Sequence, residues 1–275
     1  MYLRKFDANA QLFRTFLTPC AVSGFMHSRR GLSLGAAAAF AAALVPYNVS
    51  ASARAVQFQE NDLKENVPKI HRSEPRAVSA EINMFHFEAG ASVESVIRRG
   101  QSIGASFATV NELADMVLGD LEVPGYVICL SFDDGYEIQR GAVRALERHD
   151  VKGTFYVMSP AWKGDGVHTY FSNDLKKYLA ETGHEIGCHT DNHEPNLVRL
   201  RQSNFGAYLG ELFGSKARLE DLIQAEVFTF AYPNGVYNSI VAADVETAYK
   251  AAVTTVPGTL HTPENLFTMP RVRVN

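Results

Sequence analysis

Four short apolar runs in this chain each end at a residue able to do chemistry. The run 82–87 carries His86, 126–132 leads into Asp133 and Asp134, 185–188 stops at His189, and 227–232 stops at Pro233-Asn234-Gly235. Runs of this length, bounded by turn residues, read as strands, with 153–158, 251–255 and 271–274 as further strands. The stretches between them are amphipathic. Ser92 is expected to cap a helix reaching Ile103, and Asn111 one that presents Leu113, Met116 and Val117. A helix after Asp134 presents Ile138, Ala142, Ala145 and Leu146. Asn173 is expected to cap a helix with Leu175, Tyr178 and Leu179, 205–213 and 219–223 read as helical, and Ser239 is expected to cap a helix to Tyr249. Strands alternating with helices imply an α/β fold built on a parallel sheet, open or closed into a barrel. In a barrel, loops from different strands converge at the C-terminal strand ends. Packing alone gives no reason for four runs to finish in polar residues of that kind.

The N-terminal part reads differently. Arg29-Arg30 precedes an alanine-rich apolar run, 32–45, that is short for a membrane span. Small residues follow at Ala51-Ser52-Ala53 and Ala53-Arg54-Ala55, as at a cleavage site. The arginine pair resembles a twin-arginine signal, and Met26 offers a second start. The expected layout is an export leader at 1–55, a polar linker at 56–80 containing Pro68 and Pro75, and a single domain at 81–275. The protein is expected to be exported, periplasmic or extracellular, without a stable transmembrane span once mature; an uncleaved helical anchor is the alternative. Of the 275 residues 20% are charged, with a formal net charge of −4, so there is no basic surplus to draw nucleic acid or an anionic surface. The three cysteines, Cys20, Cys129 and Cys188, form no Cys-x-x-Cys pair, and Cys129 and Cys188 are read as buried free thiols.

His189 and His193 stand four apart and could face one ion if the segment makes a helical turn. With a carboxylate from the Asp133-Asp134 pair they supply three ligands and leave room for water. Zinc is the default ion for such a set, with cobalt or nickel as alternatives. Two adjacent carboxylates diverge, which invites a division of labour between metal binding and proton handling. Thr190 stands where a zinc protease would need glutamate, so that motif is absent.

Ser131-Phe132-Asp133-Asp134-Gly135, His189-Thr190-x-x-His193 and Phe230-Ala231-Tyr232-Pro233-Asn234-Gly235 resemble the first three motifs of the NodB-type polysaccharide deacetylases, carbohydrate esterase family 4. The resemblance runs from about Ile82 to Val274. It implies a distorted (β/α)7 barrel that removes N-acetyl groups from amino sugars with one divalent metal. It also implies Asp133 as general base and Asp134, His189 and His193 as metal ligands. Tyr232, Pro233 and Asn234 would line the substrate groove, with a backbone N–H near Asn234 facing the oxyanion; Tyr232 and Trp162 are the residues able to stack on a sugar.

Three departures stand out. Ala231 replaces the arginine that opens the third motif and steers the catalytic aspartate. The Asp-x-x-Asp-Trp motif is missing. So is the C-terminal Leu-x-His that supplies the general acid, since Leu260-His261 has the wrong spacing. Met84-Phe85-His86 is similar to the N-terminal string of a permuted branch that includes exported poly-N-acetylglucosamine deacetylases. His86 is therefore expected as general acid, ahead of His261. Arg271, in Met269-Pro270-Arg271, is expected at the substrate site and as a replacement for the missing arginine. The expected substrate is a polysaccharide containing N-acetylhexosamine: poly-N-acetylglucosamine, a chitin-like glycan or peptidoglycan glycan. The competing readings are a C–N hydrolase for small amides or formamides on the same scaffold, and a glycan-binding relative without catalysis.

Overall fold

The computed structural model describes residues 73–274 apart from Ala89. The leader at 1–55, the linker up to residue 72 and Cys20 lie outside the described residues. Nine strands occur among the described residues: β1 (Val78–Phe85), β2 (Ser106–Ala108), β3 (Val127–Phe132), β4 (Thr154–Val157), β5 (Glu185–Cys188), β6 (Thr229–Ala231), β7 (Ala251–Pro257), β8 (Leu260–His261) and β9 (Met269–Arg273). Helices α1 (Gly90–Ser102), α2 (Val110–Leu118), α3 (Arg140–Arg148), α4 (Asn173–Glu181), α5 (Leu197–Ser203), α6 (Phe205–Leu209), α7 (Ser215–Ile223) and α8 (Ser239–Glu246) flank the sheet.

Seven strands close a parallel ring in the order β1, β3, β4, β5, β6, β7, β9 and back to β1. This is the distorted (β/α)7 barrel. Its irregularity is local: β5 meets β6 through the single register pair Cys188–Phe230, and the β7–β9 register shifts between Val253 and Pro257. β2 adds in parallel to the first half of β3, while β8 runs antiparallel to the start of β1.

Every residue of β3 is buried, which is why it reads as an unbroken apolar run. Its two faces belong to different layers. Ile128, Leu130 and Phe132 pack with helix residues such as Ile97, Ala142 and Leu146. Val127 and Cys129 pack with Ala80, Ile82, Val253 and Met269 from other strands. Side chains alternate along a strand, so Ser131 and Asp133 continue the Val127–Cys129 side. Met269 begins the matching side of β9, and Arg271 follows it.

Several boundaries differ from the expectations. β1 starts at Val78, inside the stretch read as linker, because Val78 and Ala80 are buried in the strand core. Helix α1 begins at Gly90, which leaves Ser92 within its first turn. The caps of α2, α4 and α8 are Thr109, Ser172 and Asn238, each accepting from the N–H three residues on, and α8 stops at Glu246. Ile138 is exposed in a single 3₁₀ turn, Glu137–Gln139, and contributes nothing to the core. His261 lies in β8, fully buried, with Nε2 3.1 Å from the Ala80 carbonyl; it is part of a strand pair and not of a loop. Cys129 and Cys188 are buried free thiols. No helix among the described residues is long and apolar enough to cross a membrane.

Candidate active site

The strand ends converge as the sequence pattern requires. β1 and β3 are adjacent and in register at Phe85–Phe132, so His86 and Asp133 leave the barrel side by side. His86 Nε2 lies 3.7 Å from Asp133 Oδ2. Asp133 is held at its backbone too: its N–H donates to the Phe85 carbonyl at 2.9 Å. The buried Gln139 amide donates to the carbonyls of both His86 (2.9 Å) and Asp133 (2.6 Å), tying the two strand ends together.

Asp133 is enclosed, and its counter-charge is Arg271. The guanidinium donates through Nη1 to Oδ1 at 2.7 Å and through Nη2 to Oδ2 at 2.6 Å, a two-pronged pair. Nε donates to the Thr254 carbonyl at 2.7 Å, and Nη1 also reaches Ser131 Oγ at 3.2 Å. Burial pushes the Asp133 carboxyl up, but Arg271, assisted by His189 and His86, outweighs it and leaves the pKa below its ordinary value. Arg271 thus contacts the carboxylate that the missing arginine was expected to steer. It is 1% exposed behind Asp133, which corrects its assignment as a substrate contact.

Asp134 and the two histidines form a separate cluster. Asp134 has φ 72 and turns back from Asp133, followed by Gly135 at φ 66, where a Cβ would stand 2.9 Å from a Val157 methyl carbon. Asp134 Oδ1 lies 3.2 Å from His189 Nε2 and 3.3 Å from His193 Nε2. The ligand atoms of the three residues lie within 4.8 Å of one another. Nδ1 of His189 donates to the Ala231 carbonyl at 2.8 Å, so Nε2 carries the lone pair toward Asp134. Oδ1 of Asp134 is buried and makes no hydrogen bond. An acceptor oxygen and two imidazole nitrogens aimed at one point, with that oxygen orphaned, fit a divalent cation.

The charges agree with this. Burial works against ionised Asp134, but His189 and His193 hold it at about 2. Burial lowers His189, and the Asp134 carboxylate more than compensates, so its pKa rises. His193 goes the other way: burial and the charge of His189 outweigh the same carboxylate.

The turn that joins the histidines is not helical. Thr190 (φ 68) and His193 (φ 51) are both left-handed, and this geometry replaces the helical turn expected from their spacing.

The groove-wall residues need correction. Tyr232 is 1% exposed, with its hydroxyl donating to the Phe267 carbonyl and its ring stacked on Tyr237, so it offers no face to a sugar. Pro233 is buried as well. Asn234 is exposed at φ 55. Half-buried Trp162 instead lines a cavity of about 290 Å³ with Asp134, Tyr136, Met158, Tyr170 and His193. Burial and the nearby Asp134 raise the Tyr136 phenol to about 12. Phe87, half exposed, stacks on Tyr136 with ring centroids 4.2 Å apart. Tyr136, Tyr170 and Gln139 carried no recognisable signal in the sequence, because what they contact is set by the barrel and not by neighbours in the chain.

With this geometry established, the comparisons agree on one class. Residues 120–253 match the model of the polysaccharide deacetylase family. That segment, just under half of the chain, matches a polysaccharide deacetylase domain of the NodB type, and family members such as PgdA and PplD are hydrolases acting on amide bonds. The matched span holds Asp133, Asp134, His189 and His193 but neither His86 nor Arg271. The peptidoglycan-N-acetylglucosamine deacetylase PgdA of Listeria monocytogenes is 33% identical over 122 residues, 43% of this chain and 23% of that protein. The uncharacterized protein YlxY of Bacillus subtilis is 27% identical over 123 residues, 45% of this chain and 35% of its own length. The matched segments thus span about a third or less of these curated relatives. Among solved structures, the deacetylase PplD of Streptococcus pyogenes has a TM-score of 0.63 at 22% identity, covering 72% of this chain and 93% of that one. IcaB of Ammonifex degensii has a TM-score of 0.65 at 18% identity, covering 74% and 94%. At these identities the likeness speaks to the fold.

Proposed function

We propose that this protein is a metal-dependent hydrolase that removes N-acetyl groups from an N-acetylhexosamine-containing polysaccharide outside the cytoplasm. The observation that carries the reading is the juxtaposition of the orphaned Asp134–His189–His193 cluster with the Arg271-clamped Asp133 and with His86, all at one end of the barrel. A divalent ion held by Asp134, His189 and His193, with zinc the first choice and cobalt or nickel as alternatives, would polarise the acetamide carbonyl and acidify a water.

The chain's own groups do the rest. Asp133, kept ionised by Arg271, accepts the proton of the attacking water. Arg271 has no part in the chemistry; it fixes the plane and the charge of that carboxylate. His86, 3.7 Å from Asp133 and 30% exposed in its side chain, is placed to hand a proton to the departing amine nitrogen. Without that proton the C–N bond has no acceptable leaving group. A backbone N–H near Asn234, after the strand that orients His189, is the proposed partner of the oxyanion.

The test is acetate release from poly-N-acetylglucosamine, chitin oligomers, peptidoglycan and acetylated xylan. Release from one of the N-acetylated glycans is expected. Hydrolysis confined to small amides or formamides, or binding of glycan without release, would favour the competing readings. The assignment of the acid is tested on the active substrate. His86→Ala is expected to lower the rate ~10²–10⁴-fold with metal content intact, and to remove the alkaline limb of the rate profile. His261→Ala is expected to leave turnover unchanged, because His261 is buried against Ala80 near the start of β1, whereas the catalytic groups follow its end. An active His86→Ala beside an inactive, folded His261→Ala would reverse the assignment.

A further inference from the structure

The metal-binding turn has a shape its own residues do not favour. Thr190 (φ 68) and His193 (φ 51) lie in the left-handed region, where residues other than glycine persist only if their surroundings hold them. Yet His189 and His193 reach Asp134 only through this turn. Something outside it must impose the shape.

The carboxylate of Glu211 is in that position. Oε2 accepts from the backbone N–H groups of Asp191 (2.9 Å) and Asn192 (3.0 Å), and Oε1 accepts from the Asn192 side-chain amide at 2.7 Å. The two backbone donors are consecutive and lie between the two histidines. Glu211 is 8% exposed, and among the described residues it pairs with no basic side chain. Its anionic oxygens are satisfied by the turn alone. Glu211 also sits in a π-helical turn, Gly210–Gly214, inserted between α6 and α7. Such turns are rare and costly within α-helices and gather at functional sites.

We infer that Glu211, presented by this π-turn, is a positioning residue that holds the Thr190–His193 backbone in the form in which His189 and His193 converge on Asp134. The inference rests on the metal-site part of the proposed function. Asp191 braces the same turn from its side chain, pairing with Arg218 and Ser159, and the Ser159 N–H donates to the Thr190 carbonyl at 3.1 Å; among the described residues Glu211 supplies the side chain that bonds the backbone N–H groups between the ligands. Replacing the carboxylate by an amide leaves one uncharged oxygen for the two backbone N–H groups and sets an NH₂ against the Asn192 side-chain amide, so the hold on the turn should weaken and the ligands drift.

The test is zinc affinity by competition with a chromophoric chelator, together with the visible spectrum of the cobalt-loaded protein, both without substrate. Glu211→Gln is expected to raise the zinc Kd ~10–100-fold, as loss of outer-shell partners does elsewhere, and to change the cobalt spectrum. Asn192→Ala removes only the 2.7 Å bond and is expected to weaken binding in the same direction, severalfold. Leu219→Ala, fully buried in α7, is expected to lower the melting temperature and leave both readouts unchanged. The inference is overturned by folded Glu211→Gln with a Kd within twofold of wild type and an unaltered spectrum. If Glu211→Gln does not fold, an unchanged Kd in folded Asn192→Ala overturns it. A rise in Kd as large in Leu219→Ala would equally overturn it. A wild-type protein that binds no metal would instead defeat the metal-site reading on which it rests.

Discussion

Asp133→Asn is expected to retain its metal and lose ~10²–10⁴-fold in turnover. The asparagine keeps the shape of the side chain and can still accept from Arg271 at one position, but it cannot take a proton from water. The ligands Asp134, His189 and His193 are untouched, so metal content should stay at the wild-type level. The adjacent substitution has the opposite signature. Asp134→Asn removes the anionic ligand from a cluster whose buried oxygen makes no hydrogen bond, and metal should be lost along with activity. Metal analysis beside kinetics separates the two. A metal-free Asp133→Asn beside a loaded Asp134→Asn would exchange the two roles.

Arg271→Met is expected to destabilise the fold and to displace its pH dependence. Removing one partner of a buried ion pair strands the other charge, at a cost of ~3–5 kcal/mol. Asp133 is 3% exposed in its side chain, so water cannot take over from the guanidinium. The sign with pH follows from the depressed pKa of Asp133. A carboxyl whose folded pKa lies below its unfolded value contributes stability that is present above the unfolded value and lost as pH falls through the folded one. In Arg271→Met burial is opposed only by the smaller effects of His189 and His86, the Asp133 pKa rises, and this contribution disappears or reverses. The acid limb of the rate profile should move to higher pH, because the base is protonated earlier. The double variant Asp133→Asn/Arg271→Met should be more stable than Arg271→Met alone, since no buried charge remains. Calorimetry on the three variants checks this. A double variant no more stable than Arg271→Met would show that the loss comes from packing and not from a stranded charge.

Much of the barrel was legible because its strands are buried on both faces. β3 reads as an apolar run for that reason, and the residue after it must then emerge at the mouth. The convergence of Asp133, Asp134, His189 and His193 at one end of the barrel was legible for the same cause: each follows a strand directly or by a short turn. Helix starts were less legible. A polar residue at the cap and one just inside the helix look alike in sequence, and only the extended backbone of Thr109 and Asn238 distinguishes them. Residues separated by long stretches of chain were the least legible. Arg271 meets Asp133 across 138 positions, because β9 closes the ring on β1. Sequence could nominate it as a replacement for the absent arginine but could not say that it would be buried. Gln139 and Glu211 bind backbone atoms, whose positions no side-chain pattern records. Tyr232 was misread because an aromatic ring at a strand end serves core and groove equally well until its burial is known.

In the function proposed, Asp134, His189 and His193 bind one divalent ion on which hydrolysis of an N-acetyl group depends. The direct measurement is acetate release from an N-acetylated glucosamine polymer by chelated protein, titrated with zinc. Negligible release is expected after chelation, with recovery that is complete at one equivalent of zinc and no recovery in His189→Ala. Undiminished release from the chelated protein, or full recovery in His189→Ala, would contradict that dependence.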